Sequence, residues 1–437
     1  MKRHSTIALG FIALILIGAF VLSLPQVRAD GQWGSCLDSL FTACSAVCVT
    51  GLTVVNVGAV YNRTGWIVLL ILVEIGCVGL MTCGTFLMIA IGRRLSLHSE
   101  FSLMNAYGVP VVRGLRGLIC WVVGSMITFQ IIGAVALHIC ERDWFMAIFY
   151  SIMNFCNAGF SIFDGSIVRW ADRPYPLMIM GMLTIIGGIG FLVLYNLFTF
   201  RFISFTAANR GRLSLHTKTV LRVSLILLLI TFAAFLVIEW GHSLAGMSVD
   251  KKLWVGVYQA ITPRTCGFCV IPTEDLQPIT RLIYEILMFF GGAPGSAAGG
   301  IKVTTLAVLV YTLRAMCRGE SETTISQRMV PYDIVRESIV IAIVLASLIG
   351  VVFGALLMTE SGGCISYEAL LFESVSAVTT TGLSVGDTTS SLSTAGRIVI
   401  MSAMFAGRLG ALTVVMMIGD RESKRHIRYP SEELVVG

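Results

Sequence analysis

Four glycines, Gly51, Gly159, Gly267 and Gly382, each close a short run of small residues. The runs are Val49-Thr50-Gly51, Asn157-Ala158-Gly159, Thr265-Cys266-Gly267 and Thr380-Thr381-Gly382, followed by Leu52, Phe160, Phe268 and Leu383. The glycines lie 108, 108 and 115 residues apart; in a chain with 44 glycines one such match means nothing, but four at near-constant spacing mark an internal repeat. The chemistry they suit is coordination of a bare cation. A cation such as potassium, on leaving water, needs oxygens at similar distance and field strength, and rings of backbone carbonyls supply them. Glycine permits the backbone angles that turn successive carbonyls inward. Because the selecting atoms belong to the main chain, the side chains of the four runs are free to differ.

The elements that must hold these runs are readable around them. Each run follows a stretch too short to cross a bilayer, near 36–47, 144–156, 251–263 and 367–378, which suits a re-entrant helix, with a polar external loop as the alternative. Flanking them are long apolar segments near 6–24, 65–92, 115–138, 176–200, 219–240, 279–313, 334–358 and 394–419. Each is long enough for a helix across a core of roughly 30 Å. The expectation is an all-α integral membrane protein of four pseudo-repeats (helix, re-entrant pore loop, helix) around one central pore, with eight spans. The units run 1–92 (pore loop 36–52), 93–203 (144–160), 204–315 (251–268) and 316–419 (367–383), with a tail over 420–437. Secondary transporters also carry repeats, but usually two, with full-length broken spans.

Composition points the same way. Hydrophobic residues make up 56% of the chain and charged residues 13%, with a mean hydropathy of +0.85; soluble domains carry about 25% charged residues. The formal charge of +6 does not indicate nucleic acid, because the basic residues are scattered through short loops without interleaved aromatics. Most Lys and Arg fall at the amino terminus, between the paired segments and in the tail, which makes that side and both termini cytoplasmic. The re-entrant stretches then enter from outside. The apolar run 6–24 is longer than the core of a signal peptide and no small-x-small site follows, so it is expected to stay as the first span. Several of the 12 cysteines, such as Cys77, Cys83 and Cys120, lie within apolar runs as small hydrophobes and do not form a disulfide framework.

Four segments, Ser45 to Leu52, Asn157 to Ser161, Thr262 to Phe268 and Thr379 to Ser384, resemble the four selectivity-filter segments of the Ktr/Trk/HKT superfamily, and the likeness extends over essentially the whole chain. Eight spans without an additional amino-terminal pair resemble its Ktr branch. The resemblance implies potassium uptake across the bacterial cytoplasmic membrane, with potassium the transported ion and sodium an activator. It further implies a homodimer in the lipid bilayer and a cytosolic ring of nucleotide-binding RCK/KTN regulatory subunits. Glycine at all four filter positions favours potassium, since some sodium-conducting plant relatives carry serine at the first. Cys48 and Cys266 are less usual choices for the family.

The stretch Gly291-Gly292-Ala293-Pro294-Gly295-Ser296-Ala297-Ala298-Gly299-Gly300-Ile301-Lys302 interrupts the apolar region 279–313. Broken backbone at membrane depth is tolerated only when buried in protein or lining water. A phosphate-binding loop is excluded, because Val303 stands where Ser or Thr should follow the lysine. By resemblance this stretch is an intramembrane gate loop below the filter, against the alternative of a kinked helix. Arg408 sits within the last apolar segment, where a charge is costly. By resemblance it faces the pore beside the gate loop; a buried ion pair is the alternative. Lys302 either joins that gate or snorkels to the cytoplasmic interface.

Cys266 and Cys269 have redox-motif spacing, but no βαβ pattern surrounds them. Glu74 and Glu285 are intramembrane carboxylates that serve either as helix-packing partners or as weak sodium ligands. Nothing in the chain calls for a cofactor, and no His/Cys metal cluster, nucleophile elbow or paired catalytic carboxylates suggest an enzyme. Three rival readings stay open: a sodium-permeable member of the same superfamily, a carrier for another small solute, and a membrane redox protein.

Overall fold

A computed structural model describes residues 3–91, 114–202, 213–363 and 365–410. It is built almost wholly of helices. In chain order these are α1 (Arg3–Ser23), α2 (Cys36–Val47), α3 (Arg63–Ile91), α4 (Gly114–Glu141), α5 (Trp144–Cys156), α6 (Pro174–Ile189) and α7 (Phe191–Phe202). They continue with α8 (Leu215–Glu239), α9 (Val249–Ile261), α10 (Pro278–Phe289), α11 (Val303–Cys317), α12 (Tyr332–Thr359), α13 (Tyr367–Thr379) and α14 (Thr394–Leu409). A two-residue hairpin, Thr324–Ile325 paired with Arg328–Met329, is the strand content among the described residues.

The four short helices α2, α5, α9 and α13 start for a common reason. Ser35, Asp143, Ser248 and Ser366 cap them, each side chain accepting a hydrogen bond from a backbone N–H of the first turn. At 12 or 13 residues they are about 20 Å long at 1.5 Å per residue, too short for a bilayer. Each leans on a longer helix outside its own pair: α5 on α3, α9 on α6, α13 on α10, and α2 on α14. That last contact closes the ring.

Three close approaches tighten this packing. A Cβ on Gly76, Gly187 or Gly407 would lie 2.1, 1.9 or 1.9 Å from the carbonyl oxygen of Val47, Phe155 or Val378, so only glycine lets α3, α6 and α14 meet the C-terminal ends of α2, α5 and α13.

Among the described residues α4 (from Cys120), α8 and α12 are long and apolar enough to cross a membrane, and α6 with α7 make a fourth if taken together. That pair corrects the reading of 176–200 as one continuous segment. The chain bends by 96° at Gly190, whose φ is +89. The break is offset by bonds to a segment about a hundred residues on: Gly187 and Gly188 carbonyls accept from Ala297 and Ala293, and Phe191 N–H donates to Gly295. The tail 420–437, and the part of the last apolar segment beyond Gly410, lie outside the described residues.

Candidate functional site

The four glycine runs share one backbone conformation. Val49, Asn157, Thr265 and Thr380 have φ of 54, 57, 67 and 52, and Gly51, Gly159, Gly267 and Gly382 have φ of 96, 68, 76 and 86. A left-handed residue two before a left-handed glycine alternates the backbone so that successive carbonyls turn to one side. Left-handed angles at four non-glycine residues are strained, and strain of this kind persists only where the surroundings over-determine it.

The runs converge in cyclic order. A Cβ on Gly51 would lie 2.3 Å from the Ala158 carbonyl oxygen, one on Gly159 3.0 Å from Gly267 Cα, one on Gly267 2.7 Å from the Thr381 carbonyl oxygen, and one on Gly382 1.9 Å from that of Thr50. The first run thus meets the second, the second the third, the third the fourth, and the fourth the first.

The middle N–H of each run is satisfied from behind. Thr50, Ala158, Cys266 and Thr381 N–H donate to the carbonyls of Ser45, Met153, Thr262 and Ser376, at 2.9, 3.0, 3.1 and 2.9 Å. Gly51 and Gly382 N–H donate to the hydroxyls of Ser45 and Ser376, at 3.0 and 3.1 Å. The carbonyls of Val49, Thr50, Gly51, Asn157, Ala158, Gly159, Thr265, Cys266, Gly267, Thr380, Thr381 and Gly382 accept no hydrogen bond from the described residues. Twelve backbone oxygens are thereby left unengaged where the four runs meet, which is the chemistry a dehydrated cation would need.

Side chains behind the ring brace it. Cys266 Sγ lies 3.4 Å from Thr184 Oγ1 and 3.6 Å from the Tyr258 hydroxyl, and that hydroxyl donates to Asn154 at 3.0 Å. Cys266 and Cys269 are both free thiols. Glu373, fully buried, accepts from Ser384 at 2.8 Å and from Thr389. Glu373 and Ser376 were not picked out from the sequence; a carboxylate and a serine inside a short apolar helix ending at a glycine run are the signal that was there.

On one side of the ring all four glycines open into a cavity of about 510 Å³. Asp164, Glu274 and Asp387 line it, and no Lys or Arg does. On the other side lies the loop between α10 and α11. It is pinched at its neck, where Gly291 N–H donates to Ile301 and Ile301 N–H to Phe289. Ser296 closes a turn on Ala293, Val303 N–H donates to Gly292, and a Cβ on Gly299 would fall 2.2 Å from Thr380 Oγ1. Gly295 and Gly300, with φ of 70 and 64, supply the sharp bends, and the loop is therefore no kinked helix.

Arg408, 2% exposed, reaches this loop from α14: Nη1 donates to Ala297 at 2.9 Å and Nη2 to Gly76 at 3.2 Å. No carboxylate pairs with it among the described residues, so the ion-pair reading of Arg408 fails there. Lys302 does not snorkel away; its Nζ donates to the loop's own Ala298 carbonyl at 2.6 Å. Of the two intramembrane carboxylates, Glu74 accepts from Gln130 at 2.6 Å, and Glu285 stands apart from the ring. No group of three or more His, Cys, Asp or Glu is placed to hold a metal among the described residues.

A family model for TrkH, described as cation transport protein, matches residues 2–427. The chain belongs to the TrkH family of cation transport proteins. It is similar to the Ktr system potassium uptake protein B of Bacillus subtilis, with 33% identity over 99% of this chain and 96% of that protein. The potassium/sodium uptake protein NtpJ of Enterococcus hirae is 32% identical over 99% of this chain and 96% of its own length. The crystal structure of the potassium transporter TrkH from Vibrio parahaemolyticus covers 96% of this chain and 85% of that one, with a TM-score of 0.78. At 18% identity that likeness speaks for a shared TrkH fold alone.

Proposed function

We propose that this TrkH-family chain carries out potassium uptake across a bacterial cytoplasmic membrane, through a pore formed by four pseudo-repeats with eight spans. The units run 1–92, 93–203, 204–315 and 316–419, and the filter is the ring of carbonyls at 49–51, 157–159, 265–267 and 380–382. The observation that carries the reading is that ring: four runs of one conformation in cyclic contact, with the middle amide of each run bonded behind it and the carbonyls unengaged. The acidic cavity above it gathers cations, and water gives way to carbonyls at Gly51, Gly159, Gly267 and Gly382. Below it, the loop of Gly291, Gly292, Gly295, Ser296, Gly299, Gly300 and Lys302, with Arg408, is the gate. Its contact with Thr380 and the nearby cations oppose passage until the loop moves aside.

Further parts of the reading rest on the Ktr likeness: a homodimer, a cytosolic RCK/KTN ring docked on the cytoplasmic loops, both termini cytoplasmic, and sodium as activator. Sodium permeation is the second reading, favoured by the name of the E. hirae relative. Rubidium and sodium flux into proteoliposomes under an imposed membrane potential tests both. Potassium-competed rubidium entry is the expected result, equal sodium entry would favour the second, and no flux of either ion would overturn the reading.

A further inference from the structure

Glu285 sits on α10 about 10 Å along the helix from Pro278, at 1.5 Å per residue. It is 8% exposed, and among the described residues it accepts no hydrogen bond and makes no ion pair. Nearby Arg281 is engaged by Glu368 at 2.8 Å. The Glu285 carboxylate faces a cavity of about 300 Å³ between α10, α12 and α13. Its other walls are Pro278, Leu282, Phe353, Tyr367 and Leu371, with the exposed Glu368 at the edge. Leu282 is 50% and Tyr367 77% exposed, so the cavity opens on the apolar outer face of the helices, where lipid lies.

A carboxylate among apolar walls is costly unless a counter-charge meets it. A metal ion matches badly, because hard cations take about six oxygens and this cavity offers two carboxylates, of which Glu368 is already paired with Arg281. An ammonium on an alkyl chain matches well. The charge meets Glu285, the chain lies along Leu282 and Leu371, and the rings of Phe353 and Tyr367 add cation–π attraction. The volume is at the small end for ligand cavities, which suits a single short chain. We propose that this cavity binds amphipathic primary ammonium compounds entering from the bilayer, between the inner helix of the third unit and the short helix of the fourth.

The test uses the full chain in phosphatidylcholine nanodiscs and an octylamine bearing a diazirine. Irradiation should label peptides containing Leu282, Phe353 or Leu371, and unlabelled octylamine should compete. Glu285→Gln should cut the labelling about tenfold, as expected for loss of a charged contact, while Glu285→Asp retains most of it. The diazirine-bearing octanol shares the chain without the charge and should label no more than the Gln variant does. Equal labelling of wild type and Glu285→Gln, or of amine and alcohol, would overturn the site and leave only partitioning of alkyl chains into lipid. Adding phosphatidylethanolamine identifies the source: protection assigns the site to a lipid headgroup ammonium, and unchanged labelling to a free amine. Since the readout is binding, its failure is distinct from any failure of the transport reading.

Discussion

Arg408 Nη1 donates to the carbonyl oxygen of Ala297 at 2.9 Å, and through Nη2 the same guanidinium holds Gly76 at 3.2 Å. One side chain thus ties α14 to the loop after α10 and to α3. A charge at this depth is expensive, and two carbonyls offset only part of the cost. Arg408→Ala is therefore expected to raise rubidium uptake. It should cost roughly 1–3 kcal/mol for two carbonyls left unmet, short of the roughly 3–5 kcal/mol that stranding a buried partner charge would cost. Uptake and melting temperature measured on one preparation check it; a large fall in melting temperature with no gain in flux would reject the gating role.

The loop itself gives a second forecast. Its neck, Gly291 against Ile301 and Ile301 against Phe289, is separate from the part that touches α6, α7, α14 and Thr380. Deleting residues 293–299 should keep the neck and remove those contacts. Proteoliposomes holding the shortened chain, without any regulatory subunit, should conduct several-fold faster than wild type. A folded, inserted deletion mutant with unchanged flux would count against the gate.

The glycines of the ring should not be equivalent. A Cβ on Gly382 would fall 1.9 Å from the Thr50 carbonyl oxygen, whereas the nearest atom to one on Gly159 is 3.0 Å away. A left-handed conformation adds roughly 1–2 kcal/mol for any side chain at either position. Gly382→Ser should therefore impair potassium/sodium discrimination more than Gly159→Ser, with Gly51→Ser, at 2.3 Å from the Ala158 carbonyl oxygen, in between. Permeability ratios from bi-ionic flux test that order, and ratios equal to wild type in all three variants would remove the filter assignment.

Much of this arrangement was legible in the sequence because its signals are local. The glycines at 51, 159, 267 and 382 mark left-handed turns and the stretches before them are too short to span, so the four short helices fall within about two residues of their expected places. Long-range pairings were not legible. The 96° break at Gly190 looked like any glycine in an apolar run, because the groups that stabilise it, at Ala293, Gly295 and Ala297, lie about a hundred residues away. The partners of Arg408 are backbone carbonyls, which carry no residue identity to read. Asp164, Glu274 and Asp387 lie in three separate loops, and only the folded ring brings them to one cavity.

Those three carboxylates support the last prediction. They line the cavity above the ring with no Lys or Arg among them, so the cavity should raise the local concentration of cations by its field rather than by direct binding. Such an effect depends on screening, the Debye length being about 30 Å at 0.01 M salt and about 8 Å at 0.15 M. Glu274→Gln combined with Asp387→Asn should lower rubidium uptake several-fold at the lower ionic strength and only slightly at the higher, with discrimination against sodium unchanged. Asp164 is left in place because Asn56 donates a hydrogen bond to it, and its loss would disturb the loop as well as the charge. A deficit that persists at high salt would mean the two carboxylates act by contact with the ion, and a double variant matching wild type at both strengths would mean the field at the entrance does not govern the rate.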